Sequence, residues 1–353
     1  DENGHPVPSC FADFGEKVAL AQAMGESGRG IWQVVPYFPD MKQQLDNIRE
    51  LGDISLAANV PCSLQPVLSS PTSPNAEELI EALEKEQARG ARVFGQTMPR
   101  CFDLNMRLSE TSMLLYALPR WKKIMDLPRE QRLEQFKEQK SELVNEMKDA
   151  KGMSGSIPFL KVGSVKSDEN QRYQGQYLGA IAQEENKELG EVILDLSIRD
   201  NLDTEFQLQN VINADKQAVA KIVSHPLCHF GASDAGAHIT QFCGTGDTSH
   251  LLQHYVRETS TFSLEEAIHK MTGELAVDWG LADRGTLEEG KAADIVIFNS
   301  ETVSVGKEEF VDDFPGEARR YVRKSEGYDV VIVNGAIAYQ DGRYTETLNG
   351  RVV

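Results

Sequence analysis

The alternation of short apolar segments with amphipathic segments is the feature that most constrains how this chain folds. Segments with helical spacing, such as 41–51, separate the apolar runs. Short buried strands that alternate with helices predict an α/β fold with a parallel sheet. Five apolar runs are predicted to be strands, and a sixth is a weaker candidate: 30–36, 54–60, 92–98, 192–198, 227–233 and, more weakly, 157–163.

Two regions depart from this alternation. Residues 101–156 contain no clear strand, and the charged segment 128–152 predicts one helix with an apolar inner face. This face consists of Leu133, Phe136, Leu143, Val144 and Met147. Near the C-terminus, the segment 328–344 predicts a β-hairpin, with turns at Asn334-Gly335 and Asp341-Gly342. We therefore expect a helical insertion near 101–156 and a small β-subdomain at the end of the chain.

The charge of the chain argues against several partners. The 353 residues include 36 Lys and Arg against 55 Asp and Glu, a net charge of -19, and no basic cluster stands out. A surface of phosphates would repel such a chain, so we expect neither nucleic acid nor an anionic membrane as a partner. No apolar run approaches the roughly 20 residues that span a bilayer. Five scattered cysteines without a CxxC pair favour a reducing, cytoplasmic environment.

The segment SHPLCHFGASDAGAHIT, residues 224–240, contains the candidate catalytic residues. Asp234 follows a predicted strand, and only Ala and Gly lie between it and His238. Ligands bind at the carboxyl ends of parallel strands, where a carboxylate can bind a metal ion and accept a proton from its water. His238 could bind the ion, donate a hydrogen bond or orient Asp234. Asp and Gly beside a strand are also typical of a simple turn, and this alternative stays open.

The remaining histidines offer weaker candidates for metal binding. His225, Cys228 and His229 have a suggestive spacing, but adjacent strand residues face opposite sides, so a dedicated zinc site is not expected there. His250 and His254 are four residues apart on a predicted helix. The glutamate of the HExxH motif is missing between them, which favours a role in helix packing.

Three segments of the second half resemble one enzyme family. They are GASDAGAH, LLQHYVRE and SLEEAIHKMTGELAVDWGLADRGTLEEGKAADIVIFN. They look like amidohydrolase family 3, and more closely like its N-acyl-D-amino-acid deacylase (D-aminoacylase) branch. The resemblance extends along the whole chain and is strongest over 224–299. The phrase ADIVIF is common to many amidohydrolases, whereas SDAGAH is more specific to this branch.

This resemblance implies a fold and a mechanism. The fold is a (β/α)8 TIM-like barrel with a metal site at its C-terminal mouth and a small β-sandwich built from both chain termini. Asp234 would be a metal ligand, with Zn2+ as the usual ion, and a general acid/base. It would deprotonate a metal-bound water that attacks an amide carbonyl and then protonate the leaving amine.

The sequence also departs from the family pattern. No His-x-His pair occurs, and Gln33, Asn59 and Gln96 stand at or near predicted strand ends where histidines are expected. Fewer than eight strands are predicted before residue 240. We therefore expect a partial barrel without its N-terminal strands over 1–284, a β-sandwich-type subdomain over 285–353, and further metal ligands preceding Asp1.

The sequence thus predicts a metal-dependent hydrolase of a linear amide, with a small-molecule N-acyl-D-amino acid as substrate. Arg100 and Arg257 are candidates to bind its carboxylate, although either could equally form a surface salt bridge. One alternative is an amidohydrolase of cyclic amides, like dihydroorotase or hydantoinase. Another is a metal-free homologue that binds its ligand without catalysis, which the missing His-x-His pair favours.

Overall fold

The computed structural model describes residues 8–36, 41–69, 76–150, 152–231, 233–316 and 318–352. The strands are β1 Trp32–Val34, β2 Cys62–Leu64, β3 Val93–Thr97, β4 Phe102–Met106, β5 Lys161–Val162, β6 Phe206–Ile212, β7 Cys228–Phe230, β8 Ile295–Phe298, β9 Ser304–Phe314, β10 Ala318–Glu326, β11 Tyr328–Val333, β12 Ala336–Gln340 and β13 Arg343–Tyr344. The α-helices are α1 Phe14–Glu26, α2 Met41–Ala58, α3 Ala76–Ala88, α4 Pro119–Met125, α5 Arg129–Glu138, α6 Lys140–Met147, α7 Leu178–Glu184, α8 Leu189–Arg199, α9 Lys216–Ser224, α10 Asp247–His250, α11 Leu264–Met271 and α12 Gly273–Asp278. A π-helix, Leu251–Glu258, directly continues α10.

The predicted parallel sheet is present and has four strands in the order β1-β2-β3-β7. One face packs on helices α2 and α3, and its buried cluster includes Ile48, Leu51, Leu83, Cys62 and Leu64. Since side chains alternate along a strand, Gln33, Ser63 and Gln96 lie on the opposite face. All four strands end at the same edge, so the residues that follow them are brought together there.

A second core surrounds an antiparallel sheet of order β4-β6-β5. Helices α4 to α8 bury large side chains against it, including Trp121, Phe136 and Phe206. The long hairpin β9–β10 is anchored to this region by a buried ion pair. Arg107 Nη2 donates to Glu205 Oε1 at 2.6 Å, and the Tyr321 hydroxyl hydrogen-bonds to both side chains. This network joins β10 to the residue that follows β4 and to the residue that precedes β6.

The C-terminal sheet, of order β13-β12-β11-β8, contains the predicted hairpin. The Asn334-Gly335 turn has positive φ at both residues, 46° and 80°, as a two-residue hairpin turn requires. Asp341-Gly342 forms the next turn, with φ of 52° and 78°. Both predicted turns are confirmed, while the domain boundary at 284/285 stays a prediction.

Two predicted strands are wrong. Residues 54–58 continue α2, because Ile54 and Ser55 extend the buried stripe of Ile48 and Leu51 by another turn. Residues 192–198 lie in α8, which begins where Glu191 Oε2 accepts a hydrogen bond from Glu188 N at 2.9 Å. Apolar runs of this length do not distinguish a buried strand from a buried helix.

The region 101–156 also differs from its prediction. It contains strand β4, which pairs with β6 and was not recognised in the sequence. The single helix predicted over 128–152 is two helices, α5 and α6, divided at Gln139. Its predicted inner face is nevertheless confirmed, with Phe136, Leu143 and Met147 buried in the second core. None of the helices in the described ranges is both long enough and apolar enough to cross a membrane.

The buried ion pair gives a test of how the hairpin is held. The substitution Arg107→Met leaves the buried Glu205 carboxylate without its cation. We therefore expect the free energy of unfolding to fall by about 3–5 kcal/mol. Urea denaturation measures this loss. Arg320→Met, which removes an exposed pair with Asp313 on the same hairpin, is the matched control and should cost much less. Equal losses in the two variants would contradict this account.

Candidate functional site

Asp234 lies in a turn that leaves the sheet after β7. The strand ends at Phe230, and Gly231 N still donates to Thr97 O at 3.1 Å. Asp234 has a φ of +52°, and its carbonyl accepts a hydrogen bond from Ala237 N at 2.9 Å. Its side chain is exposed. The residue is therefore both a turn former and a carboxylate open to solvent at the carboxyl edge of the sheet.

His238 also lies in this turn, where its ring is directed to Gln241 and Phe242. It is exposed and has a φ of +47°. Its Nδ1 lies 3.5 Å from Gln241 Nε2, and its carbonyl accepts from Gln241 N at 2.7 Å. Within the described ranges, no hydrogen bond joins the Asp234 and His238 side chains. The catalytic roles of both residues stay predictions.

The loop that carries Asp234 is held by residues distant in sequence. Tyr321 N donates to Ile239 O at 2.7 Å, and Asn105 N donates to Gln241 O at 2.7 Å. The loop then folds back on itself at Gly244, where a Cβ atom would lie 2.1 Å from Ser233 O. Only glycine fits there, so the loop position depends on β4, on β10 and on this close approach.

Arg100 and Arg257 both donate hydrogen bonds within the protein, Arg100 to a carboxylate and to backbone, and Arg257 to backbone alone. Arg100 donates to Cys243 O at 3.0 Å through Nη2 and to Asp247 Oδ1 at 2.5 Å through Nε. Arg257 donates through Nη1 to Ser300 O at 3.0 Å and to Val303 O at 2.7 Å. Both guanidinium groups therefore stabilise the local fold.

A layer of neutral polar side chains lies on the face of the parallel sheet opposite α2 and α3, near its carboxyl edge. Gln96 Nε2 donates to Gln33 Oε1 and to Ser63 Oγ, both at 2.8 Å. Gln33 Nε2 in turn donates to Gln65 Oε1. The structure thus brings together two of the three polar residues singled out in the sequence. The third, Asn59, follows α2 at φ +53° and lies outside this layer.

Ser63 and Gln65 were missed in the sequence because β2 was not recognised as a strand. In the segment PCSLQ, residues 61–65, one residue separates Ser63 from Gln65. In a strand, this spacing places two side chains on the same face. Gly231, at the start of the Asp234 loop, packs against this layer. A Cβ atom there would lie 2.5 Å from Gln96 Oε1.

Cys228 and His229 lie on different sides of β7, as predicted, and do not face one ion. Cys228 is buried in the apolar cluster beneath the sheet. His229 stacks on Phe94 with ring centroids 4.7 Å apart, and its Nε2 lies 2.8 Å from Asp278 Oδ2. Burial lowers the pKa of His229 despite this carboxylate. His225 instead lies 3.2 Å from Glu84.

His250 and His254 pack together at the junction of α10 and the π-helix, which agrees with the predicted packing role. Their rings stack with centroids 5.3 Å apart, and His254 Nδ1 lies 2.8 Å from Glu258 Oε2. Burial, together with the nearby His254 and Arg100, lowers the pKa of His250 to about 4. Burial also raises the pKa of Asp247.

Comparison with known proteins shows similarity to a family of hydrolases. Residues 162–339, just over half of the chain, match the amidohydrolase family. Over 143 residues the chain is 34% identical to an N-acyl-D-aspartate deacylase of Alcaligenes xylosoxydans xylosoxydans. That similarity covers 39% of this chain and 26% of the deacylase.

Solved structures show a similar fold. The structure of a D-aminoacylase with a binuclear metal centre superposes with a TM-score of 0.59 at 21% identity, and it covers 99% of this chain and 60% of that one. An N-acyl-D-glutamate deacylase from Bordetella bronchiseptica, solved with zinc and a phosphonate inhibitor, gives a TM-score of 0.57 at 18% identity, covering 95% and 58%. The chain thus spans about three-fifths of the length of these solved relatives and shares their α/β fold.

The low pKa of His250 makes stability depend on pH. The unfolded chain binds a proton on this side chain near the usual pKa of about 6.5, whereas the folded chain binds it only near pH 4. The free energy of unfolding should therefore fall as the pH drops from about 6.5 to 4, and less so in His250→Gln. Chemical denaturation across this range measures the free energy of unfolding, and an NMR titration of the imidazole ring measures its pKa. A titration midpoint at 6.5 or above would refute the expected shift.

Proposed function

Since the chain belongs to the amidohydrolase family, we propose that the protein hydrolyses a linear amide, with an N-acyl-D-amino acid as substrate. The resemblance to the D-aminoacylase branch, predicted from SDAGAH and its flanking segments, is confirmed by the deacylases that the chain matches. The observation that carries the proposal is the exposed Asp234 carboxylate, which follows a parallel strand within the matched residues.

Asp234 is suited to move a proton between water and the amide nitrogen. Within the described ranges, no hydrogen-bond donor occupies its carboxylate, and Ala235, Gly236 and Ala237 leave space beside it. In the proposed step, Asp234 accepts a proton from the water that attacks the amide carbonyl carbon. It then passes this proton to the nitrogen as the C–N bond breaks, which gives a carboxylic acid and an amine. The acid then gives its proton to the amine, so that the final products are a carboxylate and an ammonium group. His238 is proposed to position Asp234 or the substrate.

The residues present do not by themselves fit the metal centre that the family implies. In the described part of the chain, no three His, Cys, Asp or Glu side chains converge on one point. The nearby layer of Gln33, Ser63 and Gln96 is neutral and is hydrogen-bonded internally, whereas zinc binds Cys, His and carboxylate ligands. The proton transfer proposed for Asp234 therefore does not pass through a metal ion. Zinc binding with Asp234 as one ligand stays a prediction.

Asp234→Asn tests the proposed role directly. The amide cannot take up the proton, so kcat/KM for N-acyl-D-amino acids should fall at least about 100-fold. Asp341→Asn is a matched control, because Asp341 is also exposed, also lies in a turn and has the same φ of 52°. This control should keep full activity. Native-like turnover by Asp234→Asn would remove Asp234 from the mechanism.

A substrate panel tests the proposed substrate class. We expect release of free amino acid from N-acetyl-D-amino acids, with at least about tenfold lower kcat/KM for the L-enantiomers, which is a difference of 1.4 kcal/mol in transition-state binding. An amine-detecting assay with both enantiomers, a hydantoin and dihydroorotate gives the comparison. Turnover confined to the cyclic amides, or binding of N-acyl-D-amino acids without turnover, would contradict the proposal.

A further inference from the structure

The glutamines at the carboxyl edge of the parallel sheet form a hydrogen-bonded chain with a direction. Gln96 Nε2 donates to Gln33 Oε1, and Gln33 Nε2 donates to Gln65 Oε1. Ser63 Oγ accepts the second hydrogen of Gln96 Nε2. Three hydrogen bonds thus link these four side chains, and Gln96 Oε1 and Gln65 Nε2 lie at the two ends of the chain. Among the described residues, the second hydrogen of Gln33 Nε2 and the Ser63 hydroxyl hydrogen also have no acceptor.

The two ends have opposite character. At one end, Gln96 Oε1 is an acceptor, and within the described ranges no donor reaches it. At the other end, Gln65 Nε2 is a donor for which the described residues provide no acceptor. Gln96 is only 6% exposed, and a ligand donor that reaches Oε1 would take the place of water there.

A secondary amide complements these two ends, because it offers one N–H donor and one carbonyl acceptor. We infer that Gln96 and Gln65, held in place by Gln33 and Ser63, bind the amide group of the substrate. Gln96 Oε1 accepts the substrate N–H, and Gln65 Nε2 donates to a substrate oxygen. This inference rests on the proposed function and adds the residues that recognise the substrate amide.

The position of the layer agrees with this role. Gln96 Oε1 faces Gly231, where a Cβ atom would lie only 2.5 Å away. Gly231 begins the loop that carries Asp234, and its amide is bonded to Thr97 O at 3.1 Å. The missing side chain at Gly231 therefore leaves Gln96 Oε1 open toward the loop that carries the proposed catalytic carboxylate.

The first experiment needs no variant of the glutamines. N-Methylacetamide contains a single secondary amide, and methyl acetate has nearly the same shape without the N–H. In an NMR titration of the native protein, N-methylacetamide should shift the side-chain amide signals of Gln96 and Gln65. Methyl acetate should bind at least about threefold more weakly, the loss of one hydrogen bond. Equal binding of the two probes, or no shift of these signals, would overturn the inference.

The second experiment separates binding from catalysis. Gln96→Met, close in volume but without hydrogen-bonding groups, should raise KM for an N-acetyl-D-amino acid about 3- to 10-fold with little change in kcat. Gln139→Met is the control, since Gln139 is half-buried between α5 and α6 and its Nε2 donates to Gln135 Oε1 at 2.8 Å. An unchanged KM in Gln96→Met, or an equal rise in the control, would refute the role of Gln96.

The two proposals fail in different ways. Asp234→Asn should still bind N-methylacetamide as the native protein does, because the glutamine layer does not include Asp234. If that variant keeps its turnover, the proposed catalytic residue is wrong, and the NMR titration still decides the inference. A different outcome is that native turnover depends on Asp234, but N-methylacetamide shifts no glutamine signal and Gln96→Met leaves KM unchanged. In that case the inference is wrong and the proposed function stands.

Discussion

The parallel register of β1, β2, β3 and β7 is the constraint on which the candidate site depends. It sets Gln33 beside Ser63 and Gln96 beside His229, and it ends all four strands at one edge. A shift of one residue in any strand would turn its polar side chains toward the apolar cluster beneath the sheet. Burial of Cys62, Leu64 and Cys228 in that cluster therefore fixes the polar layer on the opposite face.

The loop that carries Asp234 is positioned from outside the parallel sheet. Its backbone carbonyls accept hydrogen bonds from Tyr321, Asn105 and Arg100, which belong to or follow three different strands. Tyr321 is itself held by the buried pair of Arg107 and Glu205. A charged network buried in the second core thus determines where an exposed carboxylate lies at the edge of the first sheet.

Charge is distributed unequally between these two regions. The buried pair of Arg107 and Glu205, through Tyr321, and the partly buried pair of Arg319 and Glu110 join the β9–β10 hairpin to the rest of the fold. Gln33, Ser63 and Gln96, near the Asp234 loop, are instead neutral and bonded to one another. A neutral, directional layer of this kind is suited to an uncharged amide, since it binds without placing a charge against the substrate.

The sequence by itself determined the parallel α/β sheet, the C-terminal hairpin and the position of Asp234 in a turn after a strand. Each of these features depends on a local pattern in the sequence. The patterns are the alternation of apolar and amphipathic segments, the small residues around Asp234 and the Asn334-Gly335 pair. The sequence did not determine that 54–58 and 192–198 are helical, or that Phe102–Met106 and Cys62–Leu64 are strands. An apolar run of this length is compatible with either structure, and only packing against distant segments selects one. The glutamine layer was likewise decided by tertiary structure, because strand pairing brought together residues more than 60 positions apart, such as Gln33 and Gln96.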